Sequence, residues 1–374
     1  MKNDKIIGPK AYINLDKCRS NLVAIKKSVG DKKLLCVVKA NGYGHGSVQI
    51  AKSIAKIKNV QFAVFSIDEA LALRKAKIKN EILVFSKLQK NNLELAYKEN
   101  IILILSSFDD VEHIESFYLK NKVSPKYHLK FDTGMTRLGF DLKDAEAVYE
   151  SLSKPLHPYI EGIYTHFATA DEGDLSYAKK QLSDFKMVVR KVESFGLKFK
   201  FIHCSNSGAV LNLEKSYFNM VRVGMLLYGA LPSNEVNDNI GIKPVMSFCG
   251  SIVNVRKVKK NTPVSYGGVY KTASDTNIAV IQAGFADGFP RPWFESGYVI
   301  YNGEKFKIAG RVCMDQLMID FGDVVPELGD DVLFFGENQI GHLPVEIIAD
   351  QINSTPYVLF TAIGGRTKLI YIDE

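Results

Sequence analysis

Between Leu34 and Gly229 the chain alternates eight times between short apolar segments and helical stretches. No other feature constrains the fold as tightly. The apolar segments run over 34–40, 62–66, 81–86, 102–107, 127–132, 160–168, 201–207 and 219–224. Strands separated by helices cannot be joined by tight hairpins, so they read as a parallel sheet. Eight such units in series imply a closed (β/α)8 barrel rather than an open sheet. The intervening stretches carry helix punctuation. "SIDEALALRKAK" offers Ser66 or Asp68 as N-cap, with acids early and bases late, as a helix dipole favours. "YAKKQLSDFKMVVRKVESFG" has a 3.6-residue apolar period ending at Gly196, and "LDKCRSNLVAIKKSVG" ends at Gly30.

Active sites of such barrels sit at the C-terminal ends of the strands. Polar residues gather there in this chain: Lys39, Ser86, Asp132, His166, Asn206, Ser207 and Arg222.

After Gly229 the pattern changes. A polar linker, "LPSNEVNDNIG", leads into short strands divided by turns such as Asn302–Gly303. The expected organisation is α/β followed by β. Residues 1–13 form a strand packing with the β domain, 14–240 form the barrel, and 241–374 form a C-terminal mainly β domain.

Of the 374 residues, 46% are hydrophobic and 24% charged, enough for a sizeable core and unlike a disordered chain. The net charge of +7 comes from lysines dispersed among acids, without the stacking aromatics of a nucleic-acid reader. The N-terminus lacks the apolar run of a signal peptide, and no apolar run is long enough to span a bilayer. Five scattered cysteines, with no C-x-x-C, fit free thiols in a reducing compartment and no zinc site. The expectation is a cytoplasmic protein that binds no metal, nucleic acid or membrane.

"LLCVVKANGYGHG" places Lys39 at the end of the first apolar segment, before a loop rich in glycine. Such a lysine can pack its stem and send its ammonium to water. It can also be a desolvated amine able to form a Schiff base. The small residues around Tyr43 would let a cofactor approach, and the tyrosine can donate to a phosphate.

"VVKANGYGHG" resembles the lysine motif with which alanine racemases hold pyridoxal 5'-phosphate. The resemblance spans essentially the whole chain. It continues through "SIDEALALR", "LKFDTGMTRLGF", "GIYTHFATAD", "HCSNSGA", "NMVRVGMLLYG", "PVSYGGVY", "GFADGF" and "GRVCMDQLMID", in the family's order. It implies a pyridoxal-phosphate barrel followed by a β domain, and racemisation of L- and D-alanine in the supply of peptidoglycan. Lys39 would hold the cofactor and act as base on one face of the substrate. Tyr266, in the "SYG" block, would act on the other face from the partner of a homodimer with shared sites. A free tyrosine has a pKa of about 10, so it needs nearby cations. The resemblance has His166 contact Tyr266 and Arg222 in turn. Arg222 would face the pyridine nitrogen and, unable to give up its proton, weaken the electron sink. Asn206, Ser207, Gly224 and Met225 match cofactor contacts, with Tyr43 and Tyr357 closing the phosphate shell. Arg137 and the Met314–Asp315 turn would take the substrate carboxylate. Lys130 matches a lysine that is often carbamylated in the family.

The chain departs from the family at two places. Phe285 stands where many members have tyrosine, and the tail after Asn353 keeps only Arg366 of the familiar arginine pattern. Both bear on the entrance, which leaves a serine or broad-specificity racemase as the alternative. A decarboxylase on the same barrel would use a different partner residue. A non-catalytic cofactor carrier would lack the β domain.

Overall fold

The computed structural model describes residues 7–373. Eight parallel strands form the N-terminal sheet: Lys33–Val37, Val60–Val64, Ile82–Val84, Ile101–Leu105, Tyr127–Lys130, Ile160–Tyr164, Phe201–His203 and Met220–Val223. The first pairs with both the second and the eighth. Between the seventh and eighth, the Arg222 amide donates to the Ser205 carbonyl at 3.0 Å, which brings the barrel close to closure. The sequence reading therefore has the right strands but runs them too far. Beyond His203 the chain turns into the helix Ser207–Asn212, whose N-cap is Asn206.

The helices follow their sequence signals. Ser66, not Asp68, caps Ile67–Lys75, in a reciprocal capping box with Glu69. Within the helix Ser176–Ser194, Ala178, Leu182, Phe185, Val189 and Val192 are buried at helical spacing, so one face packs on the barrel. Asn302 and Gly303 both have positive φ, as a two-residue hairpin turn between Tyr298–Tyr301 and Glu304–Ile308 requires.

The C-terminal region is a nine-stranded, largely antiparallel sheet built around the long strand Met246–Val258. The strand Lys10–Asn14 lies in this sheet, antiparallel to Met246–Val258 and parallel to Lys368–Ile372. The first and last strands of the described chain thus lie side by side. Lys10 is 1% exposed and its amine reaches the Asp331 carboxylate at 2.8 Å and Ser251 Oγ at 3.1 Å. Desolvating such a pair offsets much of its Coulomb gain, so it specifies the strand's place more than it stabilises it. Residues 1–6 of the expected first segment, and Glu374 of the last, lie outside the described residues.

Candidate active site

Lys39 does not end a strand as the sequence suggested. It opens a short turn, Lys39–Tyr43, in which Ala40, Asn41, Gly42 and Tyr43 all have φ between 48° and 63°. Left-handed backbone costs roughly 1–2 kcal/mol per non-glycine residue and usually occurs singly. Here it is held by hydrogen bonds from Gly42 N–H to Val38 O at 2.9 Å and from Gly44 N–H to Ala40 O at 3.0 Å. Gly44 also has positive φ, and a Cβ there would lie 2.1 Å from the Phe360 carbonyl, so the C-terminal helix Pro356–Ala362 packs directly on this turn.

The turn borders a cavity of about 300 Å³ at the mouth of the barrel. Its lining includes Lys39, Tyr43, Lys130, Arg137, His166, Asn206, Ser207, Arg222, Gly224 and Tyr357. Among the described residues, four cations face it and no carboxylate does. Like charges at this density raise the energy of each cation and favour an anionic ligand. Burial pushes the Lys39 amine below the ordinary lysine range, Arg137 adds to the effect, and Glu69 opposes it. Lys130 is pushed down to about 8 by burial, with Arg137 and Arg222. Burial lowers Arg222 to about 10, which still leaves it charged at neutral pH.

Arg222 is held through its two Nη groups. It donates to the carbonyls of Thr165 and Cys204, both at 2.9 Å, to His203 Nδ1 at 2.9 Å and to His166 Nδ1 at 3.0 Å. His203 Nε2 lies 2.9 Å from His128 Nδ1, deeper in the barrel. Burial and Arg222 hold His166 well below the usual histidine range, so it is neutral. Tyr164 stacks on His203 with ring centroids 4.8 Å apart, and its buried hydroxyl has no protein partner.

At the other end of the cavity, Ser207 Oγ accepts from the Gly224 amide at 3.1 Å. Asn206 rather than Ser207 caps the following helix, which frees the serine for this contact. Tyr357 lies edge-on to Tyr43 at 5.6 Å, so the divergent tail still delivers an aromatic hydroxyl here. Met225 is buried at the start of the turn Met225–Tyr228 and does not line the cavity. Arg137 is exposed on a loop organised by Asp132. The Asp132 carboxylate accepts the amides of Gly134 at 2.7 Å, Met135 at 2.8 Å and Arg137 at 2.9 Å. Burial alone would raise its pKa, but these amides outweigh that and lower it. Asp132 is therefore spent on backbone and is not a dedicated partner for Lys130.

Three residues expected at the site lie elsewhere on the same chain. Tyr266 is 69% exposed and Met314 55% exposed, on the β region with Asp315 and Phe285, outside the Lys39 cavity. Their segments converge on Cys313: Ser265, next to Tyr266, has Oγ 3.8 Å from Cys313 Sγ, and Phe285 N–H donates to Cys313 O at 3.1 Å. Ala286 N–H donates to Met314 O at 3.0 Å, and Arg366 bridges Asp287 at 2.6 Å and Asp315 at 2.5 Å. Ser265, immediately before Tyr266, has φ 63°, a strained conformation that persists only where packing dictates it.

The alanine racemase N-terminal domain model matches residues 13–232, and the alanine racemase C-terminal domain model matches residues 245–371. The chain belongs to the alanine racemase family. An alanine racemase of Desulforamulus reducens is 37% identical over 97% of this chain and 98% of its own length. A solved alanine racemase of Clostridium difficile superposes with TM-score 0.90 at 33% identity, covering 98% of this chain and 96% of that one. The alanine racemase of Bartonella henselae, solved with covalently bound pyridoxal phosphate, gives TM-score 0.87 at 28% identity over 98% and 100% of the two chains.

Alanine racemases depend on pyridoxal 5'-phosphate, and the residues here fit that group. It brings a phosphate dianion and an aldehyde to a cavity of four cations, one of them a partly desolvated lysine. A Cβ on Gly224 would lie 2.8 Å from Tyr43 Oη, so a side chain there would displace the Tyr43 ring from the cavity wall.

Sequence reasoning missed His203, His128, Tyr164 and Glu69 as site residues. The signal was available for the first two. His128 precedes Lys130 by two residues on the same strand, so both point into the barrel.

Proposed function

We propose that this chain is an amino-acid isomerase that interconverts L- and D-alanine by two-base proton transfer. The observation that carries the reading is the cavity of four cations and no carboxylate around a lysine whose amine is held below its ordinary range. Bound pyridoxal 5'-phosphate supplies the electron sink that acidifies the substrate α-proton. Lys39 holds the cofactor and moves the proton on one face. Arg222 would hold the ring of the group as a donor that keeps its own proton. Ser207, Gly224, Asn206, Tyr43 and Tyr357, which line the cavity, would hold the phosphate end. Arg137 takes the substrate carboxylate.

The second base is Tyr266 of the partner subunit, working with His166, while the Met314–Asp315 turn closes the carboxylate site from the same side. The exposure of Tyr266, Phe285 and Met314 in one cluster supports this homodimer, because a lone chain leaves that apolar surface in water. Lys130, as a neutral amine, adds carbon dioxide to form a carbamate. A nitrogen–carbon bond forms as one C=O π bond of carbon dioxide opens, the nitrogen gives a proton to water, and the neutral amine becomes an anion facing Arg137. Four buried free cysteines support a reducing, cytoplasmic setting, where D-alanine serves peptidoglycan. Among the described residues no helix is long and apolar enough to cross a membrane. A broader amino-acid range is the second reading. Phe285, which brings no hydroxyl to the exposed cluster, favours it.

The test is proton NMR of the pyridoxal-phosphate-loaded protein in deuterated water with L-alanine, L-serine and larger amino acids. Rapid α-deuteration with inversion of alanine is expected. Inversion led by serine would move the reading to the second. No exchange with cofactor bound would overturn both.

A further inference from the structure

Glu69 does two jobs, on the segments that follow the first and second barrel strands. As the third residue of the helix Ile67–Lys75 it closes a capping box, and its Oε2 accepts from Phe65 N–H at 2.7 Å and Ser66 N–H at 3.4 Å. A helix cap needs no more than that. Oε1 goes elsewhere. It accepts the amide of Ala40, across from the end of the first barrel strand, at 2.7 Å. That amide needs an acceptor from outside the turn, because the first N–H groups of any helical turn lack an internal one. It also belongs to the peptide unit leaving Lys39, so fixing it restrains the Lys39 backbone and the direction of its side chain.

We propose that Glu69 is a positioning residue for Lys39, anchoring the left-handed turn that aims the lysine into the cavity. This rests on the reading of Lys39 given above. Electrostatics act in the same place. Burial and Arg137 drive the Lys39 amine toward neutrality, and the Glu69 carboxylate is the charge that opposes them. Glu69 thereby sets both where the amine points and how readily it gives up its proton.

The experiment compares Glu69→Gln with Ser66→Ala. Glutamine keeps the length but offers one accepting oxygen, so it cannot serve both Ala40 and Phe65. Ser66→Ala weakens the same capping box without touching the Ala40 contact. Three quantities are read: melting temperature, the pH profile for uptake of pyridoxal 5'-phosphate by the apo-protein, and kcat and KM for alanine. Both variants are expected to melt lower. Only Glu69→Gln is expected to move the uptake midpoint, downward by roughly half a pH unit. It alone should lower kcat, by about tenfold, with KM changed less. Glu69→Asp keeps the charge but is one methylene short of Ala40, so it should restore the midpoint and not kcat. Matching uptake profiles and kcat for Glu69→Gln and Ser66→Ala would overturn the inference and leave Glu69 a helix cap. If Glu69→Gln does not fold, Glu69→Asp against Ser66→Ala decides on kcat, and equal values overturn it. Failure of the wild-type chain to take up pyridoxal phosphate would sink the Lys39 reading itself. Wild-type uptake with indistinguishable variants would sink only the role of Glu69.

Discussion

Nδ1 of His203 lies 2.9 Å from Nη1 of Arg222, and this contact sets the protons along the barrel interior. Arginine only donates, so Nδ1 accepts and the neutral ring carries its proton on Nε2. That proton points at His128 Nδ1, 2.9 Å away, which must accept in turn. Both rings are therefore neutral and share one tautomer.

Acid should undo this arrangement. Burial and Arg222 hold His203 well below the usual histidine range, and burial pushes His128 down to about 3. Below about pH 6.5 the unfolded chain binds protons that the folded chain refuses. The stability is full above that pH and is lost as pH falls toward 3, by about 1.4 kcal/mol per pH unit for each ring. Chemical denaturation between pH 6.5 and 4.5 measures the slope. His128→Gln should reduce it by one proton's worth, and an unchanged slope would contradict the buried neutral ring.

Arg222→Glu exchanges a fixed donor for a carboxylate that can share a proton with the pyridine nitrogen. Transamination by the loaded enzyme should rise roughly tenfold relative to racemisation, since a stronger electron sink favours side reactions. Keto-acid formation assayed beside D-alanine gives the ratio, and a constant ratio would count against the assigned role of Arg222.

Lys130, pushed down to about 8, is partly neutral at pH 8, which an ordinary lysine is not. Intact mass in bicarbonate buffer at pH 8 should show one added carbon dioxide, lost on acidification and absent in Lys130→Ala. An unmodified wild-type mass under bicarbonate would refute the carbamate.

Mixing two inactive variants tests the shared site. Lys39→Ala and Tyr266→Phe each spoil both sites of a homodimer, but a mixed dimer keeps one intact. Co-refolding should recover about a quarter of wild-type kcat, the statistical share for a twofold dimer. Zero recovery with dimers confirmed by sedimentation would mean Tyr266 does not serve its partner's site.

Gly42, Gly44 and Gly46 were legible in the sequence as a loop beside Lys39, yet the left-handed turn was not. Asn41 tolerates positive φ on its own, but Ala40 and Tyr43 have no intrinsic reason to adopt it. Their conformation follows from the packing of Phe360 on Gly44 and from the Glu69 carboxylate at Ala40, contacts made across the fold. Glu69 read only as one of the early acids of its helix, because its second oxygen has a partner 29 positions away. Tyr357 sat in a tail that matched no pattern, yet helix Pro356–Ala362 carries it to the cavity.

The eight strands and their parallel order were determined by the sequence itself. Local propensity and apolar periodicity act within a few residues and leave a trace at every repeat. The concentration of four cations in one cavity, the neutral histidine pair below Arg222 and the separation of Tyr266 from Lys39 were decided by tertiary structure. Charge, burial and proton position depend on which distant side chains meet in a low-dielectric space, and nothing local in the chain encodes that meeting.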